Sequence, residues 1–97
     1  MKEEVALGIL EEKHVIDILF FLSRHGPSKK SDIYSEVSTN PRMPLKLNIM
    51  EKEGLIIQHI NTINNNTTTV MLTDKGKMVI DLLTELSRLI CGDSAIN

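Results

Sequence analysis

The sequence has little cysteine, no long apolar run and no basic N-terminus. Its single cysteine, Cys91, excludes an internal disulfide and leaves two roles for the thiol: a small apolar residue or a bridge between subunits. No segment approaches the roughly 20 consecutive apolar residues of a membrane span. The N-terminal residues are acidic where a signal peptide is basic. We therefore expect a cytoplasmic protein with no membrane partner.

The patterns of common catalytic and metal sites are also missing. His14, His25 and His59 are far apart, and one cysteine cannot form a typical structural zinc site. The chain contains no glycine-rich phosphate loop and no nucleophile turn of the Gly-x-Ser-x-Gly type. We therefore expect no enzymatic activity, no metal site and no cofactor.

Composition and charge indicate one globular domain with an uneven charge distribution. The 97 residues are 41% hydrophobic and 25% charged, as in ordinary globular domains. The formal net charge of −2 argues against a nonspecific coat for nucleic acid. Residues 24–52, however, hold six basic and three acidic side chains, a net +3, which leaves −5 for the remainder. Such a face fits DNA binding, because phosphates need only local cations, although exposed Lys and Arg can also be just a solvated face.

Two helices are expected before residue 38. Residues 1–25 form the first helix, and its second half is apolar on nearly every side, more than a monomer of this size can cover. Gly26 and Pro27 end it. A short second helix follows over 31–37, with Ser31 as its N-cap.

A third helix is expected over 41–53. Asn40 serves as its cap, and Pro41 occupies its first position. Pro44 lies where the first helical hydrogen bond forms, which predicts a late start or a tighter first turn. Gly54 supplies the left-handed residue that ends the helix.

A β-hairpin and a final helix are expected in the C-terminal half. β-branched residues flank an Asn-rich turn, which predicts a hairpin over 55–73. Thr73 then caps a helix over 74–91. Apolar residues recur along this helix at steps of three and four, a pattern typical of a helix that packs against a partner helix.

The order of these elements and two short motifs resemble a known family. The motifs are Glu53-Gly54-Leu55-Ile56, where the third helix turns into the hairpin, and Leu72-Thr73-Asp74-Lys75-Gly76, where the hairpin turns into the last helix. Together they resemble the winged helix-turn-helix transcription regulators, especially MarR-like and PadR-like proteins and their small archaeal relatives. The resemblance covers nearly the whole chain. It implies an α+β, mostly α fold in a single domain, 1–97, with a three-helix core, a β-hairpin wing and a C-terminal dimerisation helix.

The resemblance also implies a homodimer that is joined through the first and last helices. Each third helix would then enter a major groove of double-stranded DNA, which is the expected partner. The expected dimer interface is formed by apolar residues of the two joining helices: Val5, Ile9, Ile16, Phe20, Val79, Leu82, Leu83, Leu86, Leu89 and Ile90.

Candidate DNA-binding residues follow from placing the third helix N-terminus first in the groove. Its early exposed positions are expected at Arg42, Pro44, Leu45, Lys46 and Asn48. Arg42 is matched to guanine and Asn48 to adenine. Lys46 is matched to phosphate or guanine, and Leu45 to a thymine methyl. Three residues near the start of the second helix are expected to hold the phosphate backbone: Lys29, Lys30 and Ser31.

The wing departs from the usual pattern of the family because its tip has no Lys or Arg. Asn64, Asn65 and Asn66 either hydrogen-bond DNA or only form a tight turn. Leu45 and Ile49, both apolar, are expected to face solvent on the third helix. Two functions therefore stay open: a sequence-specific, homodimeric regulator that binds duplex DNA, and a winged-helix protein-interaction module that does not. A small-molecule effector is also left open.

Overall fold

The computed structural model describes residues 8–63 and 67–91. These residues form five helices and three strands, in the order α1 (Gly8–Glu11), α2 (Val15–His25), β1 (Ser28–Lys29), α3 (Lys30–Glu36), α4 (Met43–Lys52), β2 (Ile56–Asn61), β3 (Thr67–Leu72) and α5 (Asp74–Cys91). Most of this secondary structure is helical, and the strands form one small antiparallel sheet. The predicted α+β, mostly α fold class is therefore confirmed.

The core is built around α2. Its apolar residues recur at steps of three and four, so they share one face of the helix, and that face is buried. The residues that α2, α3, α4 and the sheet bury completely, or nearly so, are Val15, Ile18, Leu19, Leu22, Ile33, Met43, Leu47, Met50, Ile56 and Val70. Because α4 gives one face to this core, its opposite face is free to meet another molecule.

The single helix expected over 1–25 is broken within the described residues. α1 ends at Glu11 and α2 begins at Val15, while residues 1–7 lie outside the described residues. His14 has a φ of 74°, in the left-handed region, so the right-handed helix cannot continue through it. Its carbonyl oxygen accepts the first hydrogen bond of α2, from the N–H of Ile18 at 2.9 Å. This left-handed backbone conformation is uncommon for a residue other than glycine, and nothing in the local sequence predicts it at His14.

The starts of α3 and α4 also differ from the expectation. α3 begins at Lys30, and Ser31 does not cap it, because the preceding strand β1 leads the chain directly into the helix. α4 begins at Met43, after a tight turn in which the Met43 N–H donates to the Asn40 carbonyl oxygen at 3.0 Å. The Asn40 Oδ1 accepts from the Arg42 N–H at 2.8 Å. The late, tight start that Pro44 predicted is thus present.

The sheet has the strand order β1-β3-β2, all antiparallel. β2 and β3 form the hairpin inside the predicted range 55–73, with Ile57 opposite Met71 and Asn61 opposite Thr67. β1 is a two-residue strand that pairs Ser28 with Val70. Since β3 is central, β2 is an edge strand, and it is the strand that packs against α4.

The two sequence motifs meet at the base of the hairpin. The Thr73 N–H donates to the Leu55 carbonyl oxygen at 3.1 Å, and the Thr73 hydroxyl donates to the Gly54 carbonyl oxygen. The same hydroxyl accepts from the Gly76 N–H at 2.9 Å, which caps α5 as expected. A Cβ on Gly76 would lie 2.2 Å from the Leu55 carbonyl oxygen, so this approach requires glycine. Gly54 has a φ of 82°, as a helix-ending residue should.

Beyond this junction, α5 lies against the core along one side only. Gly76 and Ile80 are its buried residues, and Val79 and Leu83 are half-buried against the core. No helix among residues 8–63 and 67–91 is both long enough and apolar enough to cross a membrane.

Candidate nucleic-acid interface

The outer face of α4 is exposed from its first turn to its last. Arg42, Pro44, Leu45 and Asn48 all lie on this face, as the sequence predicted, with Leu45 49% exposed. The opposite face, which carries Leu47, is buried. Ile49, also expected to face solvent, is half-buried.

Lys46 does not lie on the exposed face. Its side chain is only 8% exposed, and its Nζ lies 3.6 Å from Oε1 of Glu12, in the turn between α1 and α2. The expectation of an exposed Lys46 is therefore wrong. Met43, three residues before, and Met50, four residues after, are both buried, so this helical spacing already placed Lys46 on the core side. The Lys46 ammonium ion is paired with Glu12, and this ion pair links α4 to the turn between α1 and α2.

Asn48 takes part in a side-chain network with the edge strand β2. The Gln58 Nε2 donates to Asn48 Oδ1 at 2.9 Å and to Glu51 Oε1 at 2.9 Å. The Gln58 backbone N–H donates to Glu51 Oε2 at 3.2 Å. We call these three residues, Asn48, Glu51 and Gln58, the amide bridge. Sequence reasoning missed Glu51 and Gln58, because their meeting depends on how α4 packs on β2.

Apart from Lys46, the basic residues around α4 make no ion pair with another described residue. Lys29 and Arg42 are exposed, and Lys30 is half-buried. Between described residues, the ion pairs of Lys and Arg are Lys46 with Glu12 and Arg88 with Glu85. Lys29, Lys30 and Arg42 therefore keep their charges available, and exposed Ser31 lies beside them at the start of α3. Half-buried Tyr34 follows on α3, where burial raises the pKa of its phenol.

The hairpin tip carries apolar side chains instead of cations. Asn64, Asn65 and Asn66 lie outside the described residues, so their expected role stays a prediction. Beside them, Ile63 is 90% exposed and Ile60 is 61% exposed. No Lys or Arg occurs between residues 55 and 73.

A second exposed surface runs along α5 and consists of leucine and isoleucine. We call it the α5 stripe, and its exposed members are Leu82, Leu86, Leu89 and Ile90. Between this helix and α1 lies an apolar groove of about 340 Å³. Among its lining residues are Ile9 of α1 and Val79, Leu82, Leu83 and Leu86 of α5. The structure thus brings together five of the ten expected dimer residues. Leu89 and Ile90 extend the stripe beyond the groove, Phe20 and Ile16 lie half-buried on α2, and Val5 lies outside the described residues.

Metal-binding chemistry has no support in this part of the chain. Among residues 8–63 and 67–91, no three His, Cys, Asp or Glu residues come close enough to hold a metal ion. Cys91 is exposed at the end of the α5 stripe.

Comparison with solved structures identifies the fold. A transcriptional regulator homologue from Pyrococcus horikoshii OT3 superposes with a TM-score of 0.77 at 22% identity, over 90% of this chain and 89% of that one. The chain is a winged helix. The sequence matches no protein-family model and no curated protein.

Two other winged-helix structures are larger than this one. A protein named as a MarR-like transcription regulator, from Bacillus cereus ATCC 10987, matches with a TM-score of 0.67 and 18% identity, over 82% of this chain and 61% of that one. Reduced AbfR bound to DNA matches with a TM-score of 0.60 and 21% identity, over 70% of this chain and 50% of that one. The predicted winged helix-turn-helix fold is thereby confirmed. In this winged helix, α3 and α4 form the helix-turn-helix, α4 takes the place that the recognition helix has in this fold, and β2 and β3 form the wing.

Proposed function

We propose that this winged helix is a transcription regulator that binds duplex DNA sequence-specifically, with α4 in the major groove. The observation that carries the proposal is the exposed face of α4, which begins at Arg42 while its opposite face is buried. A helix that is anchored on one side, with a cation at its free N-terminus, is suited to enter a groove. The solved structure of AbfR on DNA supports DNA as a partner of this fold.

The proposed contacts divide into reading and positioning. Arg42 reads guanine, because a guanidinium can donate two parallel hydrogen bonds to its major-groove edge. Leu45, with Pro44 beside it, packs against a thymine methyl. At the start of α3, Lys29, Lys30 and Ser31 hold phosphates and set the register. Lys46 has no part in this proposal, since its charge is occupied by Glu12.

We further propose a homodimer in which the α5 stripe packs against a second copy. α5 has 18 residues and is about 27 Å long. Leu82, Leu86, Leu89 and Ile90 are 69%, 50%, 78% and 76% exposed, a contiguous apolar surface that a monomer leaves in water. In an isologous pair, the stripe of each subunit would be buried against that of the other, and two recognition helices would face an inverted repeat.

The proposed DNA partner is also the reason for expecting a cytoplasmic location.

Salt-dependent binding to labelled duplex pools tests the function. In fluorescence anisotropy at several salt concentrations, a dimer that places Lys29 and Lys30 of each subunit near phosphates should show a log–log salt slope of about −4. The same oligonucleotides as single strands serve as the control and should bind more weakly. Absence of duplex binding at low salt would contradict the proposal.

A protein-interaction module is the second candidate, and the exposed apolar residues favour it. Leu45 on the recognition helix and Ile60 and Ile63 on the wing are exposed, and the wing has no cation. If α4 binds a protein, the chain will still dimerise through α5 but will not bind any duplex at low salt. The anisotropy measurement therefore separates the two candidates.

A further inference from the structure

The carboxylate of Glu51 fixes the orientation of the Gln58 side-chain amide. Both carboxylate oxygens accept hydrogen bonds from Gln58, one from its backbone N–H and one from its Nε2. An ionised carboxylate can only accept, so the nitrogen of the Gln58 amide, and not its oxygen, must face Glu51. Hydrogen bonds to a charged acceptor are the stronger ones, which holds this orientation.

The fixed amide of Gln58 in turn fixes the amide of Asn48. The Gln58 Nε2 directs its second hydrogen to Asn48 Oδ1 at 2.9 Å. Because Nε2 can only donate, the oxygen of the Asn48 amide must face Gln58 and its nitrogen must face away. Asn48 is exposed on the outer face of α4, so a hydrogen-bond donor is presented there.

We propose that the amide bridge makes Asn48 a donor-only reader that selects guanine. This inference rests on the proposed function and names the base that one residue of the recognition helix selects. Guanine presents two acceptors, N7 and O6, in the major groove. Adenine presents one acceptor beside a donor, thymine one acceptor beside a methyl group, and cytosine a donor, so a side chain that offers only donors pairs best with guanine. The adenine contact expected from the sequence needs the asparagine oxygen to accept from N6, and the bridge turns that oxygen toward Gln58. Glu51 and Gln58 are positioning residues, since they act through Asn48.

The decisive variant is Glu51→Gln, with Glu53→Gln as its matched control. Glutamine at position 51 can face Gln58 with either its oxygen or its nitrogen, so the polarity of both amides is released. Glu53 is exposed at the end of the same helix, and its side chain is not part of the bridge. Both variants lose one negative charge, so a general gain in DNA affinity should appear in both.

Base preference is measured by competition between duplexes that differ at single positions of a site selected from random sequence. For the natural protein, two positions in each half-site should favour guanine, one contacted by Arg42 and one by Asn48. At the Asn48 position, guanine should be favoured over other bases by about 10-fold to 100-fold, the range for a good base contact. Glu51→Gln should reduce this preference to within about threefold, while Glu53→Gln should keep it. A guanine preference that survives Glu51→Gln at every position overturns the inference.

The free protein gives an independent readout of the bridge. In ¹H–¹⁵N spectra, Glu51→Gln should shift the side-chain amide signals of both Asn48 and Gln58, and Glu53→Gln should shift neither. Unmoved signals would overturn the bridge even if the protein binds DNA. A natural protein that binds no duplex overturns the proposed function, and the base readout with it, whatever the amide signals show. Duplex binding with an intact guanine preference in Glu51→Gln overturns the readout alone.

Discussion

The base of the wing is held together by hydrogen bonds within the chain, whereas the outer surface of α5 exposes apolar side chains. At the wing base, Thr73 donates from its N–H to the Leu55 carbonyl oxygen and from its hydroxyl to the Gly54 carbonyl oxygen, and the same hydroxyl accepts from the Gly76 N–H. From Leu82 to Ile90, farther along α5, leucine and isoleucine side chains are exposed to solvent. The difference separates residues that build the fold from residues that we propose bind a partner, and we place the exposed face of α4 in the second group.

The largest effect should come from a charge in the α5 stripe. Leu86→Glu would bury an unpaired carboxylate at the proposed dimer seam, at a cost of about 4 kcal/mol or roughly 1000-fold in the dimer dissociation constant. The variant should sediment as a monomer and keep its helical circular dichroism. Ser87→Glu, which adds the same charge at an exposed neighbouring position, is the control and should stay dimeric. A dimeric Leu86→Glu protein would show that the stripe is not the seam.

Next in size is a methyl group at the wing base. Gly76→Ala places a Cβ against the Leu55 carbonyl oxygen, and the backbone must move to relieve this clash. The variant should therefore lower the free energy of unfolding by about 3 kcal/mol. Urea denaturation measures it. Gly8→Ala is the matched control, because Gly8 lies in helix α1 with no atom near its would-be Cβ. That variant should be unchanged or slightly more stable. Equal stability of the two variants would refute the close approach.

A smaller effect, of about 2 kcal/mol in the free energy of DNA binding, is expected at Arg42, the N-cap residue of α4. Arg42→Ala removes a proposed guanine contact and should weaken binding to the selected duplex about 30-fold. Its free energy of unfolding should not change, because the side chain is exposed and makes no ion pair with a described residue. Arg88→Ala on α5 removes the same charge elsewhere. If both variants lose affinity equally, only the total charge matters and Arg42 reads no base.

The smallest effect is expected from the helix cap. Thr73→Ala removes the hydroxyl that donates to the Gly54 carbonyl and accepts from the Gly76 N–H, at a cost of about 1 kcal/mol in unfolding free energy. Thr73→Ser keeps the hydroxyl and should recover most of that loss in the same denaturation experiment. A serine variant as weak as the alanine variant would assign the effect to the lost methyl group instead.

The elements that the sequence predicted well are those specified by local chemistry. Thr73 caps α5 and Gly54 ends α4, because capping and left-handed backbone depend on the residue type at one position. Pro44 likewise signalled the tight start of α4. The two motifs that suggested the fold are informative for the same reason, since both are needed for a single junction.

The features that were missed depend on contacts between distant segments. Gln58 reaches Asn48 across ten residues, and its role exists only in the packed pair of α4 and β2. β1 is too short to give a strand signal and is defined by its pairing with β3. Lys46 is different, because it shares a helix face with Met43 and Met50, so its burial follows from spacing within one helix.

Selection of binding sites from randomised duplexes tests the central claim most directly, because it requires both exposed surfaces to act together. If α4 reads bases and the α5 stripe joins two copies, the enriched sequences should form an inverted repeat with half-site centres roughly 34 Å, one helical turn, apart. Failure to enrich any sequence from a pool at low salt would contradict the claim. Enrichment of a single half-site would support base reading by α4 and contradict the proposed dimer.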